Sequence, residues 1–274
     1  MKIAFQGIKG AYSELALYKH FGRQVTSIGL EDFESVFTNV TRGTVDYGLI
    51  PIENSIAGTV VENYDLLFAH EVMIVAEVFL PIVHCLLTRS GVELAQVKKV
   101  YSHHHALKQC KDFLKKYGLE AVQFYDTAGA AKLIADKNKA DSAAIASELC
   151  AEIYGLAILQ KGIETNHSNC TRFFVIATKD KAAPQPAAEK TSLAFKTKHY
   201  PGALVDCLKI FQWYDLNLTK LESRPVPENP WEYIFYLDFN SSLEATPTKK
   251  AMAELRERAL FLKIMGSYPK GEML

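Results

Sequence analysis

The chain has 274 residues, 49% of them hydrophobic and 23% charged, which is enough for two domains with the balance of a globular protein. Lys+Arg and Asp+Glu both number 31, so no net field draws nucleic acid or an anionic membrane, and an anionic ligand would need a local cluster. No stretch approaches the roughly 20 apolar residues of a membrane helix, and five scattered cysteines without a C-x-x-C pair fit reduced thiols better than disulfides or zinc.

The opening MKIAFQGIKG reads as a strand, Ile3–Gln6, rather than a signal peptide, because no long apolar run follows its lysine; a cytoplasmic protein is expected. Patterning then predicts helices over Ser13–Phe21 and Glu31–Thr41, a buried strand over Tyr47–Ile50 and a helix over Val60–Ala69. Val72–Thr88 carries extended β-branched runs broken by Pro81. A strand (Lys99–Ser102), a helix (His103–Tyr117), a strand (Glu120–Tyr125) and a helix (Thr127–Asp136) follow. Ser142–Ala146 reads as a strand, Ser147–Tyr154 as a helix and Arg172–Thr178 as a closing strand. This rhythm predicts an α/β fold, with parallel or mixed sheets covered by helices.

Lys179–Lys190, KDKAAPQPAAEK, has almost nothing to bury and reads as a linker. Beyond it come a strand (Thr191–Thr197), a helix (Gly202–Tyr214), two strands (Asn217–Ser223, Tyr233–Phe239), a helix (Thr248–Ala259) and a strand (Phe261–Tyr268). That βαββαβ order is ferredoxin-like. The expected division is a first domain over 1–179, a linker over 180–190 and a second domain over 191–274.

In α/β sheets, ligands gather where strands end and helices begin. Here those junctions are Gly7–Ser13, Pro51–Thr59, Ser102-His103, Asp126–Ala128 and Asn169–Arg172, rich in Gly, hydroxyl and amide residues. Each polar residue could simply cap a helix, but together they suit a small carboxylate-bearing ligand, since helix N-termini favour anions.

IPIENSIAGTV (Ile50–Val60), SHHHALKQC (Ser102–Cys110) and NCTRF (Asn169–Phe173) resemble three signature segments of prephenate dehydratases, in the same order. GALV (Gly202–Val205) and ESRP (Glu222–Pro225) resemble the phenylalanine-binding motifs of the ACT domain attached to those enzymes. The resemblance implies a two-lobed catalytic domain similar to type II periplasmic binding proteins, followed by a ferredoxin-like ACT domain. It implies removal of water and CO2 from prephenate to give phenylpyruvate, with no metal or organic cofactor and feedback by phenylalanine.

Residue by residue, Thr171 matches the family's catalytic threonine and would donate to the departing hydroxyl. Arg172 would clamp a substrate carboxylate bidentately, unless it forms an ordinary salt bridge. Asn54, Ser55, Ser102 and Gln109 match polar cleft positions, although Gln109 could equally be a solvated helix residue. Glu53 would orient a neighbour or tether its turn, Thr127 would cap a helix while donating to ligand, and Phe173 would fill the core or floor the site. His103-His104-His105 suggests a metal, but consecutive helical residues point in different directions. His104 and His105 replace the Pro and Gln usual in the family.

In the ACT unit, Gly202 at the strand-to-helix turn would let phenylalanine approach the protein backbone beside Ala203, Leu204 and Val205, with Glu222, Ser223 and Arg224 beyond the second strand. ACT domains usually pair side by side, so a homo-oligomer, dimer or tetramer, is expected. Two other readings stay open: arogenate dehydratase, with the same chemistry on an aminated substrate, and a non-catalytic small-anion-binding protein of the same fold.

Overall fold

The computed structural model describes residues 1–137, 141–182, 187–226 and 229–274, with the backbone alone at 229–231. Three sheets organise it. The first is built from β1 (Lys2–Gln6), β2 (Thr26–Leu30), β3 (Tyr47–Asn54), β4 (Gly58–Thr59), β5 (Met73–Pro81) and β11 (Cys170–Ala177). Its order is β2-β1-β3-β11-β5, with β4 beside β3; β11 runs antiparallel to both β3 and β5. Helices α1 (Tyr12–Phe21), α2 (Phe33–Thr41) and α3 (Val61–Ala69) cover it.

The second sheet contains β6 (Cys85–Thr88), β7 (Lys99–Ser102), β8 (Glu120–Gln123), β9 (Ser142–Ala146) and β10 (Ala157–Lys161), in the order β10-β6-β9-β7-β8. Its helices are α4 (His104–Gln109), α5 (Lys111–Lys116), α6 (Thr127–Asp136) and α7 (Glu148–Tyr154). The chain crosses from the first lobe after β5 and returns before β11. The two crossing segments are bonded to each other, Ile82 N–H to Asn169 O at 2.8 Å and Gly162 N–H to His84 O at 2.9 Å. A cleft between two lobes follows from this double crossing.

The single helix expected over His103–Tyr117 is two, because Cys110 leaves helical geometry at φ −101°, ψ 16°. The extended runs break at Pro81 as expected: it ends β5, and β6 starts at Cys85. Strands β2, β4 and β10 went unread. Each of β2 and β10 is a five-residue sheet-edge strand carrying exposed positions, which blurs the apolar run.

The third sheet, β13-β14-β12-β15, is antiparallel and built from β12 (Lys190–Lys196), β13 (Leu218–Val226), β14 (Asn229–Phe239) and β15 (Phe261–Tyr268). With α8 (Ala203–Trp213) and α9 (Thr246–Arg258) it gives the βαββαβ order. One sheet face packs on the two helices through Phe195, Phe211, Leu237 and Leu255. The other shares a core with the first lobe, where Tyr236, Met265 and Tyr268 meet Tyr64, Ile74 and Phe174. A side chain at Gly266 would collide with the Ile74 backbone, which fixes glycine there. Of the stretch expected as a linker, residues 183–186 lie outside the described residues. Its end is no spacer: Lys190 is buried and starts β12. Among the described residues no helix is long and apolar enough to cross a membrane.

Candidate active site

Strand pairing places Thr171 of β11 directly opposite Asn54 of β3. Asn54 Nδ2 donates to Thr171 Oγ1 at 2.9 Å and to Asn169 Oδ1 at 2.8 Å. Its own Oδ1 accepts from the N–H groups of Ile56 (3.0 Å) and Ala57 (2.8 Å), which fixes the amide in one orientation. Thr171 therefore accepts from Asn54, and its hydroxyl hydrogen is left to donate elsewhere. Asn169 is in the same position: it is 1% exposed, its oxygen is engaged, and its Nδ2 has no partner among the described residues. A buried unpaired donor costs about 1–3 kcal/mol, so both groups are poised for an acceptor.

Both residues line a cavity of about 210 Å³ between the lobes. Phe173, two residues along β11, lines it as well while remaining 2% exposed, so it floors the cavity and belongs to the core. Gln109 and Thr127 reach it from the second lobe. Thr127 is not the helix cap; Asp126 is, its carboxylate accepting from Gly129 N–H.

Two further residues of this wall, Tyr12 and His84, were given no role from the sequence. His84, in the crossing segment, takes Gln109 Oε1 at Nε2 (2.7 Å) and the Tyr12 hydroxyl at Nδ1 (2.7 Å). Burial lowers the His84 pKa, so the ring is neutral. With Nε2–H donating to Gln109, Nδ1 accepts from Tyr12, and the chain Tyr12–His84–Gln109 ties the first lobe to the second. His105 also lines the cavity, beside His103. Burial first and His104 second lower the pKa of both, with His105 adding to the effect on His103 and Lys108 to that on His105. Among the described residues no group of three His, Cys, Asp or Glu is placed to hold a metal ion.

Four expected substrate contacts lie elsewhere. Arg172 cannot clamp a ligand carboxylate, because successive strand residues face opposite sides and Thr171 holds the cleft side. The guanidinium is buried against the third sheet, where Nε meets Glu77 at 2.8 Å and one terminal nitrogen meets Asp238 at 2.7 Å. Ser102 is fully buried and donates to Ile145 O at 2.6 Å. Ser55 staples the crossing segment instead, donating to Ser168 O and accepting from Cys170 N–H. Glu53 turns to Lys220 of β13 at 3.2 Å, which makes it a tether.

In the third sheet, Gly202 adopts φ +91° at the start of α8, a conformation that favours glycine. Gly202, Ala203, Leu204 and Val205 line a hollow of about 470 Å³. Glu222 and Arg224 do not join it. Alternation along β13 points them at the first lobe, to Thr59 (2.9 Å) and Asp65 (2.9 Å), while Ser223 is exposed on the opposite face. Within one protomer the two halves of the expected phenylalanine site are therefore not assembled.

Comparison with known proteins bears on this geometry. Residues 3–181 match the family model described as prephenate dehydratase. The Arabidopsis thaliana protein named arogenate dehydratase/prephenate dehydratase 2, chloroplastic, is 41% identical over 278 residues, covering 98% of this chain and 73% of that protein. The bifunctional chorismate mutase/prephenate dehydratase of Escherichia coli is 37% identical over 272 residues, covering 98% and 70%. Among solved structures, a prephenate dehydratase from Arthrobacter aurescens in complex with L-Phe superposes with TM-score 0.90 at 28% identity, covering 98% of this chain and 90% of that one. A protein described as a novel type of quorum quenching acylase, GqqA, does so with TM-score 0.92 at 32% identity, over 98% of both chains.

Proposed function

Since the chain belongs to the prephenate dehydratase family, a family of carbon–oxygen lyases, we propose that it converts prephenate to phenylpyruvate in phenylalanine biosynthesis. The electron pair of the ring carbon–carboxylate bond moves into the ring as CO2 leaves, and the C–O bond opposite breaks. Aromatisation supplies much of the driving force, so the protein must orient the dianion and help hydroxide leave as water. Thr171 is the donor to that oxygen. A threonine hydroxyl is too weak an acid to ionise, so it acts in step with C–O cleavage. Asn169 and Gln109 supply further polar contacts, and Asn54 holds the Thr171 oxygen in place.

The observation that carries this reading is the pair of unused donors, Thr171 O–H and Asn169 Nδ2, in the wall of one cavity. The test is purified full-length protein with prephenate, followed by the appearance of phenylpyruvate. No product would end the proposal. Arogenate is the nearest alternative substrate, named for the plant relatives. Acylase chemistry has less support, because a nucleophilic Thr171 needs a base. The partner that oxygen has among the described residues is the Asn54 amide, a donor.

We further propose that residues 1–179 form the catalytic domain and residues 191–274, with Lys190 at the start of β12, an ACT regulatory domain. Phenylalanine would sit by Gly202 and Ser223 of paired chains, favouring a less active arrangement. Splitting of those segments within one protomer supports a homo-oligomer, dimer or tetramer. Gly202→Trp should then abolish inhibition at intact basal rate. The five unpaired thiols, four of them buried, fit a reducing cytoplasm.

A further inference from the structure

The central cavity poses a charge problem. A substrate of this class carries two carboxylates, yet among the described residues no lysine or arginine lines the cavity, and Arg172 is committed to Glu77 and Asp238. Anions taken from water into a cleft need compensating charge.

That charge stands next door. A second cavity, of about 420 Å³, shares His105 and Gln109 with the first, so these two side chains form a common wall. Lys108 and Lys111 also line it, together with Thr165 and Asn166. No carboxylate lines it, and neither lysine has an ion pair among the described residues. His105 and Lys108 are three apart on α4, which places them on one face.

The two ends of the substrate ring fit this arrangement. The leaving hydroxyl and the carbon bearing both acidic groups are opposite each other on a six-membered ring. With the hydroxyl at Thr171, the acidic end points away from β11 and towards the second-lobe wall that α4 provides.

We propose that this annex receives the 2-oxo acid arm of the substrate, and that Lys108 and Lys111 are specificity-determining residues that favour a keto acid over its amino acid counterpart. The inference rests on the dehydratase reading. In the keto acid the arm carries one net negative charge. In the amino acid an ammonium cancels that charge, and two lysines then gain nothing from the arm as a whole. Discrimination follows from charge, with no need for a different cavity shape.

The test compares prephenate and arogenate on the full-length protein, on Lys108→Ala/Lys111→Ala and on Lys108→Glu/Lys111→Glu. Both lysines are exposed, so the fold should survive, and melting curves check that it does. The wild type should prefer prephenate. The alanine pair should lose about tenfold in kcat/KM for prephenate, mainly through KM, with arogenate nearly unaffected. The glutamate pair should shift the ratio further towards arogenate. Added salt should raise KM for prephenate in the wild type and much less in the alanine pair. A preference ratio within about twofold of wild type in both variants, with prephenate still turned over, overturns the annex and leaves the dehydratase standing. So does a wild type that prefers arogenate. If neither substrate reacts, the dehydratase reading falls and the annex with it.

Discussion

The two faces of β11 make opposite use of polar groups. On the cleft face, Thr171 and the adjoining Asn169 keep donors that nothing among the described residues takes up. On the other face, one residue along, Arg172 is saturated. Its guanidinium meets Glu77 and Asp238, lies 4.6 Å over the Phe174 ring, and approaches the Tyr268 hydroxyl at 3.4 Å. Glu77 also accepts from Lys190 (2.9 Å) and Gly271 N–H (3.0 Å), and Asp238 from Ser192 (2.5 Å). Two buried anions thus face two buried cations, with every charge hydrogen-bonded. Donors left free on the first face suit an incoming acceptor; satisfied polarity on the second holds the third sheet to the first lobe.

The sharpest way to break this contrast is to remove one charge from the saturated face. Arg172→Ala leaves Glu77 and Asp238 buried without their main counter-charge, and breaking such a pair costs about 3–5 kcal/mol. Denaturant unfolding should show that loss. A change below about 1 kcal/mol would mean that water or Lys190 compensates, and the network would not be what joins the sheets.

On the cleft face the balance reverses. Thr171→Val keeps the shape and removes one acceptor from Asn54, whose amide retains Asn169 Oδ1 and Cys170 O. Stability should fall by about 0.5–1.5 kcal/mol, while kcat falls by roughly 10²–10³, the scale of one lost transition-state donor. Near wild-type turnover would remove Thr171 from the chemistry.

A smaller effect separates the faces by pH. Burial pushes the Glu77 carboxyl up, but Arg172, the Gly271 N–H and Lys190 outweigh it and hold the carboxyl below its ordinary value. A carboxylate held low in the folded state stabilises fully above its unfolded pKa, and that contribution is lost as pH falls through the lower, folded value. Acidification from about pH 6 to about pH 3 should therefore cost the wild type more stability than Arg172→Met, in which Glu77 has lost its strongest attraction. Equal losses in urea titrations at the two pH values would place the acid sensitivity elsewhere.

How much of this was legible in the sequence depends on whether the signal was local. The alternation of strands and helices and the βαββαβ order follow from periodicity and turn chemistry, which neighbouring residues set, whereas the two lobes came from the resemblance. Resemblance brought Asn54, Gln109 and Thr171 to notice and the strand-to-helix junction brought Thr127, and all four line one cavity. It could not give direction. Reading Thr171 and Arg172 as partners ignored the period of two in a strand, a rule available once β11 was extended back to Cys170. The same period separates Glu222 and Arg224 from Ser223. His84 and Tyr12 were out of reach, since the double crossing that brings positions 12, 84 and 109 together joins segments far apart in sequence. Asn169 lay within a quoted motif; what marks it is its unpaired nitrogen, which only coordinates reveal.

The weakest expected effect concerns the rim of the interface that Arg172 anchors. Arg224 and Asp65 pair at 2.9 Å with side chains 30% and 47% exposed, so water already screens them. Arg224→Ala should cost at most about 1 kcal/mol, several times less than Arg172→Ala, although both arginines join the third sheet to the first lobe. The variant is still informative, because β13 carries Arg224 on one face and Ser223 on the other. If phenylalanine acts by shifting the third sheet on the first lobe, loosening this rim should change the phenylalanine concentration needed for inhibition while leaving the uninhibited rate intact. An inhibition curve that superposes on wild type would mean that the signal passes through the buried ion network and not through the rim.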